Sequence, residues 1–241
     1  STIDGGADNE GTIQVTGATK TFKSAIGSTS VGTLNIDATP VFESTVGATT
    51  IDIAGSVTAT FNDAITATTI ALNGSSNLTI SYTGAITIEG NITDTSTSNE
   101  INVLFATADT APSLVTFSGA AVAADTIKIG STTKAGKATF SGLTGVTATT
   151  LTIAGGDHEN EDSTATFNDD LTATIVLDDN TGAGDAKIIF ATDNDATITG
   201  TINGNDTTEG VLQITGATKT FSDAIGTTEA LTLIDVDNAA I

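Results

Sequence analysis

The two ends of this chain carry nearly the same sequence. Residues 11–27 read GTIQVTGATKTFKSAIG and residues 210–226 read GVLQITGATKTFSDAIG, with twelve of seventeen positions identical at an offset of 199 residues. Three of the five differences exchange Thr, Val, Ile or Leu for one another. Self-similarity of this kind marks a repeat architecture, in which each unit is incomplete alone and is stabilised by its neighbours.

A shorter unit fills the space between the end blocks. It begins with Phe, continues through a polar turn to an aliphatic residue, then a Thr-Ala-Thr-like segment, and ends in a short alternating strand. Phe61 opens FNDAITATTIALNG, Phe140 opens FSGLTGVTATTLTIAGG and Phe167 opens FNDDLTATIVLDDN. Phe42 and Phe117 open further copies, Phe22 and Phe221 looser ones, and Tyr82 is read as the substitute in the Phe-free stretch from Leu78 to Glu100. Alternation such as Ile51-Asp52-Ile53, Ile127-Lys128-Ile129 and Leu151-Thr152-Ile153 gives each strand one apolar face. One unit cannot bury that face, but stacked units can. The expected fold is therefore all-β, a parallel β-solenoid of about nine to eleven irregular coils running through residues 1–241 as one repetitive domain. One or two antiparallel β-sandwiches are the alternative. Phe22, Phe42, Phe61, Phe117, Phe140, Phe167 and Phe221 are expected to point inward and several to stack. The two end blocks are expected to share a local fold at opposite ends of the rod.

Composition narrows the function classes. Thr makes up 51 of the 241 residues, and Cys, Met and Trp are absent. Thr, Ile and Val favour strands, and good helix formers are scarce. The formal net charge of −22 leaves no basic stripe for phosphates, so no nucleic-acid partner is expected. No apolar run approaches the ~20 residues that span a bilayer as a helix, so membrane insertion is not expected either. Without Cys there are no disulfides or thiolate sites. With no start Met and no signal peptide, Ser1 is expected to be a processed or first ordered end.

Acidic turns are the chemistry-bearing segments. They include DGGADNE from Asp4, GGDHENED from Gly155, DDNTGAGD from Asp178, DNDA from Asp193, NGND from Asn203 and DVDN from Asp235. Hard oxygen ligands at short spacing suit Ca2+, with Asp157, Glu159, Glu161 and Asp162 as first candidates and Asp178, Asp179 and Asp185 next. None of these turns matches an EF-hand loop, and Asp, Asn and Gly are also what ordinary turns require. His158, the sole histidine, is read as a surface loop residue. No nucleophile elbow accompanies it, and Trp and Arg are missing for sugar stacking or charge stabilisation, so an enzyme is not expected. The Thr-Ala-Thr segments lack the fixed register of an ice-binding face and are read as solvated strand faces.

A Cys-free, acidic, Thr/Ala/Gly/Asp-rich chain with loose β repeats resembles bacterial extracellular β-solenoid repeat proteins: surface-layer proteins, autotransporter-like passengers and large adhesins. That resemblance implies an extracellular or cell-surface location. It implies a structural subunit of a filament or surface layer whose partners are copies of itself, assembling head to tail through its β ends. A repeat segment of an adhesin that binds a surface or glycan is the alternative.

Overall fold

In the computed structural model the backbone is described for residues 1–107, 111–159, 161–179, 184–192 and 195–237. The chain winds as a parallel β-solenoid of about nine turns of regular strand. Partial turns held by the isolated bridges Ile3–Ile26 and Ile202–Ile225 extend it at either end. Every strand pairs in parallel with the strand one turn away. This excludes the sandwich alternative, which needs antiparallel hairpins.

Each turn has three faces, which the chain visits in the fixed order A, B, C. Face A is one unbroken ladder of paired residues: Ile3, Ile26, Val46, Ile65, Ile88, Phe117, Phe140, Phe167, Phe190, Ile214 and Val236. Face B begins Ile13, Leu34, Ile51, Ile70, Ile92 and ends Leu171, Ile198, Phe221. Face C begins Phe22, Phe42, Phe61, Ile80, Val103 and ends Ile153, Leu177, Gly204. Strict alternation explains the cross-section. In Asn77–Tyr82, residues Leu78, Ile80 and Tyr82 are buried while Asn77, Thr79 and Ser81 face outward. The inward residues of three faces meet in one continuous core of Ile, Val, Leu, Ala and Phe. Where corners stack, small residues are compulsory. A Cβ on Gly27 would lie 1.9 Å from the carbonyl oxygen of Gly47 one turn above.

The aromatic ladder exists, in two separate pieces. Phe22, Phe42 and Phe61 stack on face C at centroid separations of 5.0 and 4.7 Å. Phe117, Phe140 and Phe167 stack on face A at 4.8 and 4.7 Å, and Phe190 continues the row, tilted. The sequence unit is thus out of phase with the coil. Its Phe lies on face C in the first half, on face A from Phe117 to Phe190, and on face B at Phe221. Two strands that belong to no unit cause the shifts. Glu100–Phe105 adds an extra face-C strand before Phe117, and Val211–Gly216 adds an extra face-A strand before Phe221. Each lengthens the spiral by a third of a turn. The fold accepts this because all three faces ask for the same thing: inward apolar residues, outward polar ones, and a corner.

Tyr82 does not hold the Phe position of its turn. Ile80 pairs with Phe61 there, and Tyr82 points inward two residues later, in register with Phe105. Its hydroxyl accepts the Lys137 N–H at 2.8 Å and donates to the Lys137 carbonyl at 3.3 Å, joining the end of the face-C strand Asn77–Tyr82 to the start of the face-A strand Lys137–Phe140. Burial pushes its phenol up to about 12.

Candidate functional site

The end blocks have the same local conformation. Gly11, Gly17 and Gly27 have φ of 80°, 85° and 69°, and their counterparts Gly210, Gly216 and Gly226 have 79°, 78° and 65°. Such values favour glycine, which explains why all three are kept in both copies. The match extends upstream of the blocks. Ile3 bridges Ile26 as Ile202 bridges Ile225. Gly27 N–H donates to Ile3 O at 2.7 Å as Gly226 N–H donates to Ile202 O at 2.8 Å. The Asp4 carboxylate accepts the Thr29 N–H as the Asn203 side-chain carbonyl accepts the Thr228 N–H.

Yet the copies lie on different faces. The first puts Ile13 on B, Phe22 on C and Ile26 on A; the second puts Leu212 on A, Phe221 on B and Ile225 on C. Following face A from Ile3, eight turns reach Phe190 and two further faces reach Ile202. The 199-residue offset is therefore eight and two-thirds turns.

Both ends are open. Among the described residues, the strongly exposed large apolar side chains are Ile3 (42%) at one end and Leu233 (49%), Ile234 (50%) and Val236 (54%) at the other. Ile234 and Val236 pair with the inward residues Leu212 and Ile214, so they are core positions without the turn that would cover them. Phe22 and Phe221 are only partly buried for the same reason. Beside Phe221 and Val236 the last turn leaves a groove of about 550 Å³, lined also by Ile214, Gly216, Lys219 and Asp237.

Backbone polarity at the edges follows from alternation. Thr232 N–H donates back to Gly210 O, so the N–H groups of Leu233, Asp235 and Asp237 point along the axis, away from the rod. At the other end Asp37 N–H donates to Val15 O, which turns Ile13 and Val15 toward the next turn and leaves Thr12 and Gln14 facing outward along the axis.

The acidic candidates occupy one corner region. Sequence places these acidic turns about twenty residues apart, and coiling stacks Gly155 against Gly184 and Asp162 against Asp185 on successive turns. Asp162 Oδ1 accepts the Asp185 N–H at 2.9 Å, and Asp179 accepts the N–H groups of Ala186 at 2.6 Å and Gly210 at 2.7 Å. Glu161 is buried, and its Oε2 accepts the Asp157 N–H at 3.0 Å. Asp157 and Glu159 are exposed, and His158 lies 3.7 Å from Asp157, also exposed. Asp162 and Asp179 therefore serve as acceptors that tie successive turns together, while Glu161 closes its own loop. Among the described residues, no three acidic or histidine side chains form a group arranged to hold a metal ion. Asn160, residues 180–183, Asp193, Asn194 and residues 238–241 lie outside the described residues.

Crowding of like charge has a measurable consequence. Burial, with Asp162 and Asp179 beside it, raises the Asp185 carboxyl above its usual value. Asp178 is raised by burial and Asp179, and Glu209 chiefly by burial. A raised carboxyl holds its proton in the folded state to higher pH than in the unfolded chain. The rod therefore gains stability from these groups at the acid end. It loses that gain as pH rises from the ordinary carboxylate value through the raised one. Asp185→Asn should raise the melting temperature at pH 7 and flatten its change between pH 4 and 6, as calorimetry across that range would show.

No family model, curated protein or solved structure matches this chain. The fold itself defines its class, a parallel β-solenoid built of degenerate repeats.

Proposed function

We propose that this chain is a structural subunit of an extracellular filament or surface layer, in which copies join head to tail through their β ends. One observation carries the reading: among the described residues, the large exposed apolar side chains, Ile3, Leu233, Ile234 and Val236, are gathered at the two ends of the rod. There they lie on strand edges whose main-chain groups point along the axis. Unpaired edges of this kind recruit strands, and an end-to-end contact between unlike surfaces yields an open polymer. The extracellular or cell-surface placement is supported by a Cys-free, Thr-rich, acidic sequence. Ca2+ enters this reading as a promoter of assembly. Copies of charge −22 repel, and salt screens that repulsion to a range of ~8–10 Å, while a divalent ion also offsets the crowded carboxylates around Asp185.

The test separates edge pairing from folding. Proline at Leu233 removes an N–H that faces away from the rod, so Leu233→Pro should abolish polymers in negative-stain microscopy while the circular dichroism of the monomer stays unchanged. Proline at Ile13, by contrast, should unfold the first turn, because that N–H faces the turn above. At the opposite end Gln14→Pro is the matched edge variant. Polymerisation of the wild-type chain should strengthen with added Ca2+ and weaken with chelator. A wild-type chain that stays monomeric in every salt and instead binds a glycan would replace the filament reading by the adhesin one.

A further inference from the structure

Ile3 and Val236 both lie on face A, at the first and last rungs of the same ladder. The chain order A, B, C makes face B, above Phe221, the next position of the spiral. Resting on the head-to-tail reading, we infer that successive copies dock with a rotation of a third of a turn, face A of one copy seated on face B of the copy before it.

This seating matches the two ends position by position. Ile3 comes over Phe221, Ile13 over Ile225, and Phe22 over Val236, each an inward residue that its own copy leaves incompletely covered. The junction thereby continues the turn-to-turn packing that builds the rod.

Charge selects the same rotation. The short strand Thr21–Phe22 is flanked by Lys20 and Lys23. The rotation brings it over Leu233–Asp237, whose outward side chains include Asp235 and Asp237. Both aspartates lie beside Gln213 of the turn below. With no rotation, the stretch before Glu10, which holds Asp4 and Asp8, would instead come over these aspartates, placing like charges together. The duplicated block supports the assignment. Lys23 and Ser24 in the first copy are replaced by Ser222 and Asp223 in the second, so the end blocks differ in charge where they are otherwise nearly identical.

The geometry sets the helical parameters. One copy advances the spiral by ten and a third turns, a rise of roughly 50 Å at ~4.8 Å per turn. Three copies return to the starting face.

Charge reversal provides the test. Variant one carries Lys20→Asp and Lys23→Asp; variant two carries Asp235→Lys and Asp237→Lys. Each alone meets itself with like charges and should lose polymer mass at least tenfold in a pelleting assay. A one-to-one mixture has favourable charges at both kinds of junction and should restore wild-type polymer as an alternating copolymer. Monomer circular dichroism of both variants serves as the folding control. Electron cryomicroscopy of the wild-type polymer should give the third-of-a-turn rotation. Wild-type polymers with no rescue by mixing, or with zero or two-thirds rotation, overturn this docking while leaving the filament reading intact. Absence of wild-type polymers removes the filament reading itself.

Discussion

Phe140→Ala is expected to cost about 3–5 kcal/mol of stability. Phe140 is 1% exposed, and its ring lies between those of Phe117 and Phe167, parallel to them within 6° and 2°. Truncation leaves a void between two rings that cannot close it, because their separation is fixed by backbone pairing above and below. In a solenoid each turn contacts only its neighbours, so the loss is local in origin. Urea melts should show a lower midpoint, and hydrogen exchange should show weakened protection centred on residues 115–118, 137–140 and 163–167. Phe22→Ala is the contrast. Phe22 stacks on Phe42 alone and is partly exposed, so it should cost much less in the monomer. Equal losses at the two positions would show that the stack does not stabilise the rod as described.

Asn99→Leu is the second large effect, and it acts through polar groups. Asn99 is fully buried at the corner before Glu100–Phe105, the first extra strand. Its Oδ1 accepts the Ser76 N–H at 2.8 Å, and its Nδ2 donates to the Leu72 carbonyl, Asp94 Oδ1 and Ser96 Oγ. Its own N–H donates to Asp125 Oδ2 on the following turn. One side chain and its backbone therefore tie three turns where the repeat changes phase. Leucine fills the space but leaves the Ser76 N–H and the Leu72 carbonyl buried without this partner. About 3 kcal/mol should be lost, since each stranded polar group costs ~1–3 kcal/mol. Asn99→Asp keeps the acceptor but adds a buried charge beside Asp94 and Asp125. It should be at least as damaging at pH 7 and partly recover on acidification, as thermal melts at two pH values would reveal.

The alternation in each short strand determined the fold from sequence alone. Ile51-Asp52-Ile53 or Leu151-Thr152-Ile153 admits one buried face, and recurrence at coil length requires another copy to cover it. The inward Phe residues were legible for the same reason, because Phe always precedes the aliphatic strand of its unit. The equality of the end blocks was also legible, since Gly17 and Gly216 need the same positive φ.

Tertiary structure alone decided the phase. Nothing in the residues marks Glu100–Phe105 or Val211–Gly216 as surplus, because an extra strand and corner satisfy the same local rules as any other. Only counting faces around the coil shows that the two similar end blocks are turned relative to each other. Stacking of Asp162 against Asp185, and the hydrogen bonds of Tyr82 to Lys137, belong to the same class. Each joins residues one or more turns apart. Their meeting depends on how many residues every intervening corner consumes, a sum that local preference does not fix.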